Sequence, residues 1–125
     1  MRYLLDTHVL LWWLNGDVTL SKKVREIIAN PDNIIFISSV STWEFAIKKS
    51  LGKLIAPDDL EKAIEANEFQ KLPITIKHTI FIENLPAYHD DPFGRLLIAQ
   101  AIIEGLTLLT RDAQIPKYQV HTIKA

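Results

Sequence analysis

The chain has 125 residues, 48% of them hydrophobic, with no cysteine and a formal net charge of −1. That length suits a single domain, residues 1–125, with a core of its own, and the missing thiols exclude disulfides, thiolate metal ligands and cysteine nucleophiles. A net charge this close to zero means that any nucleic acid must be held by a local patch rather than drawn in by the whole molecule. The N-terminal residues Met1 to Leu5 meet an acid at Asp6 before a secretory hydrophobic segment can form, and the apolar run Val9 to Leu14 is too short to cross a bilayer. The expectation is a cytoplasmic protein without a membrane segment.

In chain order, Tyr3-Leu4-Leu5 reads as a buried strand. Thr7 is placed to cap a helix through Val9 to Leu14, which Asn15-Gly16-Asp17 ends. Ser21 opens a second helix, Lys22 to Ala29, with Val24, Ile27 and Ile28 on one face, and Asn30-Pro31-Asp32-Asn33 is a turn. Ile34-Ile35-Phe36-Ile37-Ser38 is a continuous β-branched and aromatic run, as expected of a strand covered on both faces. Ser41 then starts a helix with Trp43, Ile47 and Leu51 in register, stopped by Gly52. Pro57-Asp58-Asp59 opens another, to about Glu68. Leu72-Pro73-Ile74 reads as a short edge strand, Lys77 to Asn84 as helical, and Pro86 to Pro92 as a loop. Pro92 suits a first helical turn, and the helix runs on to Gly105. Leu106 to Thr110 and Val120 to Ile123 are the last two strands.

Strands alternating with helices imply an α/β layered fold around a mostly parallel sheet. Right-handed crossovers then place every strand-to-helix turn on one edge, where ligands of open sheets bind. That edge is acidic. Asp6 follows the first strand, Glu44 lies early in the helix after the second, Asp90 and Asp91 precede the long helix, and Asp112 follows Leu106 to Thr110. Clustered carboxylates repel one another unless a cation lies between them, and an all-oxygen ligand set selects a hard ion such as Mg²⁺ or Mn²⁺. Each acid alone also has a structural reading. Asp6 suits a helix entry, Ser41-Thr42-Trp43-Glu44 matches a capping box, Asp91 before Pro92 is a natural N-cap, and Asp112 can cap a short turn.

Four segments together resemble a known family. Leu4-Leu5-Asp6-Thr7-His8-Val9-Leu10-Leu11-Trp12 is similar to the opening of PIN domains, in particular the VapC-like toxins of bacterial type II toxin–antitoxin pairs. Ser38-Ser39-Val40-Ser41-Thr42-Trp43-Glu44 resembles their second motif, Asp91 to Ala101 the third, and Leu108-Leu109-Thr110-Arg111-Asp112 the fourth. The resemblance covers nearly the whole chain. It implies a PIN-like three-layer sandwich, Mg²⁺- or Mn²⁺-dependent RNA hydrolysis, homodimers and a cognate antitoxin that blocks the site. Position by position it makes Asp6, Glu44 and Asp112 metal-site acids, with Asp91 a further catalytic acid. Arg95 beside them is expected as a phosphate or structural contact, and Thr7 and Lys48 are expected substrate contacts.

One position departs from the pattern. Most relatives of this subgroup carry an acid immediately before the arginine of the third motif, the usual third metal ligand; here it is Gly94. Glycine in a helix costs about 1 kcal/mol relative to alanine, so the change gives up local stability as well as a ligand. Three readings follow: a weakened or inactive homologue, an inactivating change in the sequence, or compensation by Asp90 or Asp91.

Trp12, Trp13 and Trp43 suit the core or a dimer contact better than base stacking. Lys48, Lys49 and Lys53 read either as a solvated helix face or as a track for an RNA backbone. His8 and His89 lie near the proposed edge, within reach of a substrate, while no histidine pair has metal-ligand spacing. The competing functions are therefore a metal-dependent ribonuclease and an inactive PIN-type binding module that pairs with an antitoxin or RNA. A phosphotransfer domain ranks third, because Asp6-Thr7-His8 lacks the second acid of an Asp-x-Asp pair.

Overall fold

A computed structural model describes residues 1–125. Its strands are β1 (Arg2–Leu5), β2 (Ile34–Ser38), β3 (Gln70–Leu72), β4 (Thr107–Thr110) and β5 (Thr122–Lys124). Its α-helices are α1 (Thr7–Leu14), α2 (Lys22–Ala29), α3 (Ser39–Ser50), α4 (Leu60–Ala66), α5 (Ile76–Phe81) and α6 (Pro92–Glu104). The sheet has the order β3-β2-β1-β4-β5, and every neighbouring pair is parallel. The expected mostly parallel sheet is thus wholly parallel, and the edge strand β3 falls two residues before the expected Leu72 to Ile74.

Alternation along the central strands divides the core in two. Tyr3, Leu5, Ile35, Ile37 and Leu109 pack on one side with Val9 and Leu10 of α1 and Val24 and Ile28 of α2. Leu4 and Leu108 point the other way, against Leu97, Ile98 and Ala101 of α6. Burying each such side chain contributes about 1.5–3 kcal/mol, which fixes the register of the strands and the helix layers over them. The long α6 is buried from Leu96 to Ala101, and it ends at Gly105, whose φ of 67° is the left-handed cap that glycine adopts without strain.

Two helix starts differ from the sequence expectation. Asp6, not Thr7, caps α1, because the strand runs directly into the helix and leaves Thr7 as its first turn. Helix α3 begins at Ser39 with Ser38 as its cap, so Ser41 and Glu44 do not form a capping box. The buried face of α3 is Val40, Ser41, Glu44 and Phe45, whereas Trp43 is 50% and Leu51 62% exposed. Apolar spacing alone pointed to the wrong stripe because the inward face of this helix carries a serine and a glutamate.

A buried polar network locks this layer. Ser38 Oγ accepts from the Val40 N–H at 2.9 Å and donates to Gln100 Oε1 of α6. Gln100 Nε2 donates to Pro73 O at 3.3 Å. His78 Nδ1 accepts the Thr75 N–H at 3.0 Å, which leaves the hydrogen on Nε2 to donate to Glu104 at 2.9 Å. Replacing Gln100 by leucine strips Ser38 of its acceptor in a site that water does not reach. Each buried group left unpaired costs about 1–3 kcal/mol. Urea unfolding of Gln100→Leu is expected to show a lower midpoint with an unchanged slope.

Candidate functional site

The C-terminal edge of the sheet forms a cleft of about 390 Å³ walled by Asp6, Glu44, Asp91 and Asp112 together with His8, Trp12, Lys48, Gly94 and Arg111. Asp6 is held by the sheet itself. Its backbone N–H donates to Leu109 O at 3.0 Å and extends the β1–β4 ladder by one step. Its Oδ1 accepts the Thr7 N–H at 2.7 Å and its Oδ2 the Thr110 hydroxyl at 2.6 Å. Burial nevertheless dominates and pushes its pKa up, against the lowering effect of the Thr110 and Thr7 hydrogen bonds; Glu44 adds a small push in the same direction.

Thr110 also accepts the Asp112 N–H at 3.0 Å, so one hydroxyl ties the two acids together. Asp112 Oδ1 accepts the Gln114 N–H at 2.8 Å, which is the turn-capping role expected of it. Asp91 caps α6 through the Phe93 N–H at 3.0 Å. Each of these two acids therefore uses one oxygen locally and keeps Oδ2 free of protein partners. Glu44 projects from the second turn of α3, only 5% exposed, and is paired with Lys48 one turn along.

Four expected site residues thus share one cleft, with Lys48 beside them. Others lie elsewhere. Thr7 is 2% exposed and bonds Ser41 Oγ at 3.0 Å, joining α1 to α3, and it does not line the cleft. Arg95 turns from the cleft: its guanidinium donates to Pro86 O at 2.8 Å and Tyr118 Oη at 3.1 Å, and clamps the loop before α6. The reason is local, because four residues into α6 its side chain points back over that loop. Asp90 is exposed and outside the cleft. Arg111, unremarked in the sequence, lies over the Trp12 ring at 4.0 Å and donates to Thr19 O at 2.6 Å.

The residues fit a divalent cation. The carboxylates are hard oxygen donors with free lone pairs, and a buried nitrogen without a partner, His89 Nε2, lies beside Gly94 of the cleft wall. The ligand atoms that come within 4.8 Å of one another belong to His89, Asp91 and Asp112. Asp6 and Glu44 wall the same cleft but stand outside that tight group. A single histidine two residues from an acid carries no metal-ligand signal in the sequence; only the fold brings His89 to Asp91 and Asp112.

The family model of the PIN domain matches residues 3–120. This chain belongs to the PIN domain family. No curated protein matches it in sequence. Among solved structures, this PIN domain resembles a chain of VapBC2 from Rickettsia felis bound to a promoter DNA fragment, with a TM-score of 0.69 and 18% identity over 99% of this chain and 98% of that one. It also resembles a chain of DNA-bound VapBC from Salmonella typhimurium, with a TM-score of 0.72 and 16% identity over the same shares. A third is VapBC-5 from Mycobacterium tuberculosis, a member of the VapBC toxin–antitoxin family, with a TM-score of 0.61 and 15% identity over 99% and 98%. At these identities the likeness shows the shared fold. No helix of this PIN domain is long and apolar enough to cross a membrane.

The raised pKa of Asp6 has a stability consequence of definite sign. Below 3.8, the ordinary value, Asp6 is protonated in both folded and unfolded chains and contributes nothing. As pH rises from there through the folded pKa, the unfolded chain ionises more readily and the fold loses stability, with the full cost present above that folded value. In chelator, Asp6→Asn is therefore expected to melt at a higher temperature than the parent at pH 7, with the difference vanishing towards pH 3.5. Thermal unfolding across that range checks it.

Proposed function

We propose that this PIN domain is a metal-dependent ribonuclease of the VapC toxin type, hydrolysing phosphodiester bonds of RNA. The observation that carries the reading is convergence: carboxylates from β1, α3, the α6 cap and the end of β4 meet in one cleft at the C-terminal edge of a parallel sheet. Asp6, Glu44 and Asp112, with Asp91, are the acids that hold Mg²⁺ or Mn²⁺. A bound divalent cation would supply charge neutralisation at the phosphate and an acidified water for in-line attack.

The chain's own residues do the rest. Thr110 orients Asp6 and Asp112 together, through bonds of 2.6 and 3.0 Å. Lys48 pairs with Glu44 and lends the otherwise acidic wall a positive charge for a backbone phosphate. Trp12, sandwiched under Arg111, forms a rigid aromatic rim to the cleft. The partners proposed with this reading are RNA as substrate, a cognate antitoxin and a second copy of the chain, in keeping with the toxin–antitoxin complexes whose fold it shares.

Gly94 favours one other reading, a PIN-type binding module that keeps its partner surfaces and does not cleave. A Cβ at 94 would stand 2.9 Å from Asp91 Oδ2 and 3.2 Å from His89 Nε2, so a side chain there would crowd both. Cleavage of RNA by the purified chain in Mn²⁺ separates the two. The ribonuclease reading expects cleavage by the parent, lowered about 100-fold or more in Glu44→Gln or Asp112→Asn. The binding-module reading expects none until Gly94→Asp is made.

A further inference from the structure

We propose that His89 is a metal ligand in this chain, acting with Asp91 and Asp112, and that Gly94 is what makes room for it. The inference rests on the ribonuclease reading for the identity of the site, but it concerns metal coordination alone.

Three observations support it. The first is the orphaned atom. His89 Nε2 is fully buried and has no hydrogen-bond partner, the one buried side-chain nitrogen or oxygen in the protein so placed. A buried polar atom left unpaired costs about 1–3 kcal/mol and calls for a partner that the protein itself does not provide. The second is the distance set. One nitrogen of His89 and one oxygen each of Asp91 and Asp112 lie within 4.8 Å of one another. Ligands bound at about 2.0–2.2 Å from a common ion are separated by roughly 3–4.4 Å, so this group needs to contract only slightly around a cation. The third is Gly94. The space that a Cβ would take at 94 is bordered by Asp91 Oδ2 and His89 Nε2, at 2.9 and 3.2 Å. A side chain at 94 would press on both atoms and make them give way, so the glycine leaves the space over that position to the carboxylate and the imidazole.

The imidazole is also held from behind. His89 Nδ1 lies 2.7 Å from Tyr118 Oη, and Tyr118 is anchored in turn by Arg95 Nη1 at 3.1 Å. Tyr118 Oη also accepts the His89 backbone N–H at 3.3 Å. Ligation through Nε2 requires the hydrogen on Nδ1, with Tyr118 Oη turning its own hydrogen away and accepting this one in place of one of the two N–H groups that now donate to it; such a back-side partner is the usual support of a metal-binding histidine. Arg95, an expected substrate contact, becomes in this arrangement a positioning residue for Tyr118. A nitrogen donor in place of a third carboxylate moves the site away from Mg²⁺, which prefers oxygen, towards Mn²⁺ and more strongly towards Co²⁺ and Zn²⁺.

Pulsed electron paramagnetic resonance of the full chain loaded with Mn²⁺ tests the ligand directly. The expected result is ¹⁴N coupling from a directly bound imidazole that persists in His8→Gln, the other histidine lining the cleft, and disappears in His89→Gln. Titration calorimetry should show Co²⁺ binding tighter than Mg²⁺ in the parent. His89→Gln should lower Mn²⁺ affinity by about 10-fold or more. In Gly94→Asp the nitrogen coupling should be lost and Mg²⁺ affinity should rise. The parent and His8→Gln spectra together decide the matter even where His89→Gln fails to fold. Mn²⁺ bound without nitrogen coupling, or coupling that vanishes with His8 instead, overturns the inference and leaves the ribonuclease reading standing. Absence of any divalent-cation binding overturns both. Nitrogen coupling without RNA cleavage overturns only the ribonuclease reading.

Discussion

The parallel pairing of β1 with β4 is the interaction on which the site depends. The ladder runs Tyr3 to Thr107, Leu4 to Leu108 and Leu5 to Leu109, and continues through the Asp6 N–H to Leu109 O. That last step sets the Asp6 carboxylate against Thr110, and Thr110 sets Asp112. A shift of one residue would turn Leu4 and Leu5 onto the wrong faces of the sheet and carry Asp6 away from its partners. The two leucine-rich cores that hold the register therefore also hold two acids that lie more than a hundred residues apart in sequence.

Gathering these acids opposes folding. Asp6 is largely desolvated, and that burial pushes its pKa up. The chain offsets part of it with hydrogen bonds to the charged form, with Lys48 beside Glu44, and with backbone N–H groups at the α6 and Gln114 turns. What the protein leaves unmatched is equally informative. A free oxygen on Asp91 and a lone buried nitrogen on His89 border the space over Gly94, with an Asp112 oxygen within 4.8 Å of a ligand atom on each. The absent side chain at 94 is thus part of the shape of the site and not only a missing charge.

Several features could be read from the residues because they are local. The continuous β-branched and aromatic run Ile34 to Ser38 reads as a covered strand, and Pro92 followed by an apolar stretch to Gly105 reads as a long buried helix. The order of these elements places Asp6, Glu44, Asp91 and Asp112 on one edge. Other features escaped for equally physical reasons. Trp43 and Leu51 have the spacing of a core stripe, yet the inward face of α3 is chosen by the polar network at Ser38 and the cleft at Glu44. Thr7 and Arg95 have side chains suited to a phosphate, but contacts with Ser41, Pro86 and Tyr118 occupy them.

By itself, then, the sequence determined the alternation of strands and helices, the parallel sheet that this alternation requires, and the edge at which the acids gather, since all three follow from hydrophobic periodicity and the handedness of crossovers. Tertiary structure alone decided which of the polar side chains at that edge keep a free lone pair. Hydrogen bonds between segments remote in sequence tie up Thr7 and Arg95, and the close approach of His89 and Asp91 over Gly94 leaves one nitrogen unpaired. Such pairings depend on distances of a few ångströms between distant residues, which no local pattern of residue types encodes.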